Sequence, residues 1–131
     1  VKPIADTGLL VGFLDASDQH HAWAVSCFAQ LRTALTTCEA VVAETEYLVP
    51  GSGPLLMEMV RRGTLLVQAL LPGEAEALAK LMTRYPKMQF ADACVVRLSE
   101  LLPGAVVYTT DRRDFTVFRR RKRDPIALEF P

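Results

Sequence analysis

The sequence predicts an α/β fold of three layers, a central and mostly parallel sheet covered by helices on both faces. Three observations predict it. Short apolar runs of strand length recur along the whole chain, and segments of helical periodicity separate them. Pro and Gly pairs (Pro72-Gly73, Pro103-Gly104) punctuate the boundaries between these segments. Hydrophobic residues make up 50% of the 131 residues, enough to fill a core without staples. Strands alternating with helices bury a parallel sheet between two helical layers, and residues 1–131 are expected to form one domain of this kind.

The elements follow in order. Ile4-Ala5-Asp6 reads as the end of a short buried strand, its start limited by Pro3. Thr7 to Leu14 is an apolar helix in which Gly8 and Gly12 permit close approach, and Asp15-Ala16-Ser17-Asp18 is a turn rich in capping side chains. Trp23, Cys27, Phe28, Leu31 and Leu35 recur at helical spacing, predicting a helix from about 19 to 35. A strand over Cys38–Val42 and a helix from Glu44 to Leu48 come next, the helix stopping before Pro50. Leu55–Arg62 is a helix ended by Gly63, and Leu65–Leu70 a strand. Pro72-Gly73 breaks the chain before an amphipathic helix from Glu74 to Tyr85 with acids in its first turn. Phe90–Leu102 is a nearly apolar helix, Ala105–Tyr108 a strand, and Ile126–Leu128 an edge strand.

Four acids stand where these runs begin or end. Asp6 closes Pro3-Ile4-Ala5, Asp111 follows Ala105–Thr110, Glu44 follows Ala40-Val41-Val42-Ala43, and Asp92 opens Ala93-Cys94-Val95-Val96. In an open α/β sheet ligands bind beyond the carboxyl ends of the strands, where the next helices begin, so all four can face one crevice. Carboxylates brought together repel and take up protons unless a cation offsets them, and Mg²⁺ or Mn²⁺ suits hard oxygen ligands. Such an ion supports phosphodiester hydrolysis without a serine or histidine nucleophile. Each acid also has a purely structural role open to it. Asp6 and Asp92 can cap helices, Glu44 can favour a helix N-terminus, with Glu46 the relevant acid instead, and Asp111 and Asp114 can shape a turn.

Charge is balanced overall but unevenly placed. Between residues 112 and 123, Arg112, Arg113, Arg119, Arg120, Arg121, Lys122 and Arg123 stand against Asp114 alone, a net +6 that leaves −6 for the remainder. A basic segment beside an acidic body suits a protein that holds a phosphate backbone; a solvated edge is the plainer reading. Cys27, Cys38 and Cys94 are too few and too widely spaced for a disulfide framework or a zinc site, and their apolar neighbours suggest core thiols in a reducing, cytoplasmic setting. No run approaches the roughly 20 apolar residues that cross a bilayer, and no basic region followed by an apolar core marks a secretory signal. HExxH, GxxxxGK[ST], GxSxG and GxGxxG are all absent, which leaves zincin, P-loop, hydrolase-elbow and dinucleotide chemistries without support.

With the acids placed, the sequence resembles the PIN domains, and among them the VapC-type toxin ribonucleases of bacterial toxin–antitoxin pairs. The resemblance lies in Ile4-Ala5-Asp6-Thr7-Gly8-Leu9-Leu10, Asp15–His21, Val42-Ala43-Glu44-Thr45-Glu46-Tyr47-Leu48, Phe90-Ala91-Asp92-Ala93-Cys94 and Thr109-Thr110-Asp111-Arg112-Arg113-Asp114-Phe115, in that order and spacing. It implies a PIN-like fold over 1–131 and a metal-dependent endoribonuclease. Asp6, Glu44, Asp92 and Asp111 would then be catalytic and hold Mg²⁺ or Mn²⁺, with Asp114 an additional ligand and Thr109 a polar neighbour. Arg112, Arg113, Arg119, Arg120 and Arg121 would position RNA. A cognate antitoxin and a homodimer are the partners implied, the antitoxin in a groove near Trp23 and Leu55–Met59. The alternatives are an inactive PIN-like module that binds RNA or a protein, and a phosphate-transfer enzyme with an aspartyl nucleophile. The latter is disfavoured because Gly8 stands where a second acid would be needed.

Overall fold

The computed structural model describes residues 2–131. A five-stranded sheet forms its centre. Strand β1 (Lys2–Ala5) runs into α1 (Thr7–Leu14), and α2 (His21–Gln30) leads to β2 (Leu35–Cys38). Then come α3 (Glu39–Leu48), α4 (Gly53–Arg61), β3 (Leu65–Gln68), α5 (Leu71–Arg84) and α6 (Phe90–Leu101). Strand β4 (Ala105–Tyr108) is followed by a one-turn helix α7 (Arg112–Phe115), a hairpin of β5 (Arg119–Arg120) and β6 (Asp124–Pro125), and β7 (Leu128–Glu129). The order across the sheet is β3-β2-β1-β4-β7 and every pairing in it is parallel.

The chain moves outward from β1 through β2 to β3 and then returns to the other side of β1 for β4, with Ile4 opposite Val107 and Ala5 opposite Tyr108. That reversal opens a crevice at the carboxyl ends of β1 and β4, since the connections leave in opposite directions. Ile4, Ala5, Leu35, Cys38 and Val107 are buried, as strands covered on both faces require. Helix α6 contributes most to the filling: Ala93, Cys94, Val95, Val96 and Leu98 are all buried, and it packs on β1, β2 and β4. Arg97, on its less buried side, bridges Glu74 of α5 at 3.1 Å and Glu100 at 3.1 Å.

Four boundaries differ from those the sequence predicts, each for a definable reason. The second strand is Leu35–Cys38, and Ala40-Val41-Val42-Ala43 lies inside α3; a four-residue apolar run fits either a strand or a buried helical face. Pro72 and Gly73 sit in the first turn of α5, where a proline lacks nothing the helix needs. Helix α2 is shorter than its periodicity suggests and ends at Gln30, before the strand begins. The edge strand is β7 at Leu128–Glu129, pairing with β4 two residues later than predicted. Among the described residues no helix is long and apolar enough to cross a membrane.

Candidate active site

Asp6, Glu44, Asp92, Asp111 and Asp114 line one cleft of about 480 Å³, together with Asp18, His20, Lys87, Gln89 and Thr110. The route to it differs for each acid. Asp6 directly follows β1, the central strand, and stands in extended backbone before α1. Its carboxylate makes no side-chain cap to that helix, so helix capping is not what it is doing. Glu44 is the sixth residue of α3, on the face that carries the buried Val41 and Thr45 and the cleft-lining Leu48. Glu46 turns to a separate, mostly apolar cavity between α3 and α4, which separates the two candidates. Asp92 is the third residue of α6 and Asp111 caps α7.

Asp6 is the most enclosed, with 6% of its surface exposed. The Thr109 hydroxyl donates to its Oδ2 at 2.6 Å, and the Asp111 N–H donates to the same hydroxyl oxygen at 2.9 Å. Burial pushes the Asp6 carboxyl up to about 6; the Thr109 hydroxyl and the Thr7 amide work against that rise, and the charges of Asp92 and Glu44 add to it. Asp92 is also held above the ordinary carboxylate range, chiefly by burial and then by Asp111, Glu44 and Asp114, although the Gln89 N–H donates to it at 3.1 Å. That contact belongs to a capping box in which the Gln89 side chain reciprocates, so Asp92 has a structural role as well. Asp111 is raised by burial and by Asp114, while the Asp114 N–H at 3.0 Å lowers it. Three neighbouring carboxyls are all shifted upward, toward their neutral form, the electrostatic signature of a site that would welcome positive charge.

The donor set is all oxygen, the kind hard divalent cations take. Among the described residues no three His, Cys, Asp or Glu side chains converge on a single point.

The close fit of the cleft floor explains one glycine. A Cβ at Gly8 would lie 1.9 Å from Oγ1 of Thr110, so the first turn of α1 rests directly on the loop after β4. Asp18, beyond α1, accepts from the His20 N–H at 2.9 Å, which brings His20 to the cleft, while His21 turns away and contacts the Gly12 carbonyl at 2.7 Å. Lys87 reaches the opposite rim from the short segment between α5 and α6, where buried Met88 anchors the chain. Lys87 carries no sequence signal for this position, because it arrives through a loop whose course depends on tertiary packing, whereas His20 lies in the Asp15–His21 stretch that carries the resemblance.

The basic segment is largely engaged elsewhere. Arg119 donates to the carbonyls of Thr116 at 2.7 Å and Phe118 at 3.2 Å, and its N–H is received by the Tyr85 hydroxyl at 3.0 Å. Arg120 is half-buried, and Arg121 is held by Glu100 of α6. Arg121 and Lys122 line a second cavity beside α5 and α6, with Lys80 and Arg84. Arg112 stacks over the Phe130 ring at 4.5 Å, and both Arg112 and Arg113 are exposed on α7, next to Asp111. Of the arginines singled out in the sequence, these two are therefore nearest the acids along the chain, and none lines the cleft itself.

No family model matches the chain. It is 29% identical over 123 residues to "Ribonuclease VapC26" of Mycobacterium tuberculosis, covering 88% of this chain and 91% of that protein. Its fold matches the crystal structure of M. tuberculosis VapC20, described as a sarcin–ricin loop cleaving toxin, with a TM-score of 0.74 and 19% identity over 86% of this chain and 92% of that one. The chain is thus similar in sequence to a VapC ribonuclease over most of its length, and it shares its parallel-sheet fold with a VapC toxin.

Proposed function

We propose that the chain is a metal-dependent endoribonuclease, a toxin of the VapC type, which hydrolyses RNA phosphodiester bonds in the Asp6–Glu44–Asp92–Asp111 cleft. The observation that carries this is the gathering of those four carboxylates, with Asp114, around one crevice at the sheet's switch point. The likeness to a ribonuclease and to a ribosomal-RNA-loop cleaving toxin supports the same chemistry.

Asp6, Glu44, Asp92 and Asp111 would hold Mg²⁺ or Mn²⁺, with Asp114 as an additional ligand. When bound, such an ion activates water and offsets charge on the phosphoryl oxygens. The chain's own groups set the conditions for that. Thr109 fixes the Asp6 carboxylate toward the cleft and keeps its proton affinity from rising further. The Asp111 N–H, bound to the same hydroxyl, ties the loop after β4 to the end of β1. Lys87 supplies a cation at the rim of an otherwise acidic cleft and makes no ion pair among the described residues, so it is available to a phosphate of the incoming strand. Arg112 and Arg113 extend that contact along α7.

A cognate antitoxin and a second copy complete this reading. Trp23 packs against the core, whereas Tyr47, Leu48, Leu55 and Met57 leave apolar surface exposed on α3 and α4, the area such partners would use. Cleavage of a mixed RNA pool by wild type and Asp6→Asn in Mg²⁺, Mn²⁺ or EDTA tests the proposal. Fragments from wild type alone, and only with metal, are expected. Binding of RNA without turnover in any metal, by folded and partner-free protein, would replace the enzyme with an inactive binding module.

A further inference from the structure

Two of the three cysteines have a relationship that their spacing in the sequence conceals. Cys38 ends β2 and stands at the N-cap of α3; Cys94 is the fifth residue of α6. Both are free and buried, on two elements that pack together, β2 and α6. Both also line a cavity of about 310 Å³, whose walls include Gln68, Leu70, Pro72 and Phe90. Leu71 and Phe90 at that cavity are partly exposed, which gives it a solvent side. A space that size admits several molecules as small as water, at about 30 Å³ each. Cys27, by contrast, is buried in α2 and does not line this cavity.

We propose that Cys38 and Cys94 are a dithiol modification site, converted to a reversible disulfide by a small hydroperoxide that enters this cavity. The chemistry balances without any further reactant. One thiol is oxidised to a sulfenic acid as the peroxide O–O bond breaks and one water leaves. The second sulfur then attacks the sulfenic sulfur, the S–S bond forms, and the hydroxyl departs with the remaining thiol proton as a second water. Two thiols and one hydrogen peroxide give one disulfide and two waters. A dithiol reductant restores both thiols by exchange.

The bond has a mechanical consequence for the cleft. A disulfide holds its sulfurs at about 2.05 Å, closer than any two unbonded sulfurs stand, so oxidation draws the start of α3 toward α6. Helix α3 carries Glu44 and α6 carries Asp92, two residues before Cys94. Displacement of catalytic groups by about 1 Å costs on the order of 100-fold in rate. Oxidation is therefore a brake on the cleft, and this second half rests on the nuclease reading above.

The test uses the full chain treated with hydrogen peroxide, alkylated, digested and mapped by mass spectrometry, beside RNA cleavage before and after oxidation. Expected is a peptide pair joining Cys38 to Cys94, lighter by two hydrogens and reversed by dithiothreitol, with Cys27 still alkylated. Cys38→Ala and Cys94→Ala, or the Ser variants if either Ala variant is poorly folded, should lose the link and keep full cleavage under peroxide. Sulfinic acid on separate cysteines, or a link through Cys27, overturns the site. A Cys38–Cys94 link with unchanged cleavage overturns the brake. Absence of cleavage in the reduced protein falls on the nuclease reading alone, because the linked peptide is scored independently of activity.

Discussion

The Thr109 hydroxyl donates to Oδ2 of Asp6 at 2.6 Å, joining the end of β1 to the end of β4 across the sheet's switch point, with both residues buried. Thr109 is itself fixed by its N–H, which Glu129 of the edge strand β7 accepts at 3.1 Å. Three parallel strands thus converge on one carboxylate. The enclosure that positions Asp6 also penalises its charge, so the same contact carries both a functional and a thermodynamic consequence.

Asp6→Asn is expected to abolish cleavage and to stabilise the apo fold at neutral pH. The folded Asp6 carboxyl sits at about 6 against 3.8 when unperturbed, so the native state holds its proton more tightly than the unfolded chain. Stability contributed by that proton is present at low pH and is lost as pH rises through the interval between the two values, a loss on the order of 2–3 kcal/mol. Asparagine keeps an acceptor for Thr109 and has no charge to desolvate. In EDTA the variant should melt higher than wild type by roughly 5 °C or more near neutrality, and the gap should close in acid. Equal melting temperatures at neutral pH would show that Asp6 bears no such penalty.

Thr109→Val removes the one donor that lowers the Asp6 carboxyl from a side chain and strands the Asp111 N–H. A hydrogen bond to a charged group contributes about 1.5–3 kcal/mol, so the rising limb of the pH–rate profile should move upward by about one unit or more. Thr109→Ser, which retains the hydroxyl, should leave the limb near its wild-type position. A pH series of kcat/KM on one defined RNA distinguishes them; coincident limbs for Val and wild type would remove Thr109 from the argument.

How far the sequence led depends on how each segment is bounded. Asp92 and Asp111 are legible because their elements carry sharp punctuation: Pro86 before α6, and Pro103-Gly104 before β4. Glu44 lines the same cleft by a different route from the one its surroundings suggest, since Ala40-Val41-Val42-Ala43 reads as a strand until the 3.6-residue spacing of Val41, Glu44, Thr45 and Leu48 is followed through. The hairpin β5–β6 gave no signal at all. Its turn places Arg121 and Lys122 at φ of 49° and 73°, positions that hairpins ordinarily give to Gly, Asn or Asp. A run that looked like a free basic tail is consequently folded against α6. Lys87 and the Cys38–Cys94 contact depend on tertiary packing that no local pattern encodes.

Divalent cations should stabilise the protein, and more strongly at higher pH. Burial and mutual repulsion raise Asp6, Asp92 and Asp111 together, so an ion must displace protons at acid pH and meets ionised carboxylates once pH exceeds the raised values. Saturation with Mg²⁺ or Mn²⁺ at a hundred times its dissociation constant corresponds to about 2.7 kcal/mol. Thermal melts with and without metal, at mildly acid and mildly alkaline pH, should show the larger rise in the alkaline sample and little in Asp6→Asn. An equal rise for the variant would place the ion outside this cleft.

Lys87 and Arg121 provide a paired comparison of what the basic residues do. Lys87 lines the cleft and makes no ion pair among the described residues, whereas Arg121 lies away from the cleft, its guanidinium donating to the Glu100 carbonyl of α6 at 3.3 Å and its backbone N–H to the Glu100 carboxylate. Lys87→Met should raise KM several-fold with kcat little changed, and it should flatten the dependence of log affinity on log salt by about 0.7 for single-stranded RNA, the share of one lost phosphate contact. Arg121→Ala should leave both KM and that slope in place and lower the melting temperature slightly, because it removes the guanidinium bond to the Glu100 carbonyl while the backbone N–H keeps its bond to the Glu100 carboxylate. Salt titrations of RNA affinity on an uncleaved substrate, run beside thermal melts of both variants, separate the two roles. A salt slope that falls for Arg121→Ala and holds for Lys87→Met would move the RNA path from the cleft rim to the cavity beside α5 and α6, where Lys80, Arg84 and Lys122 already stand.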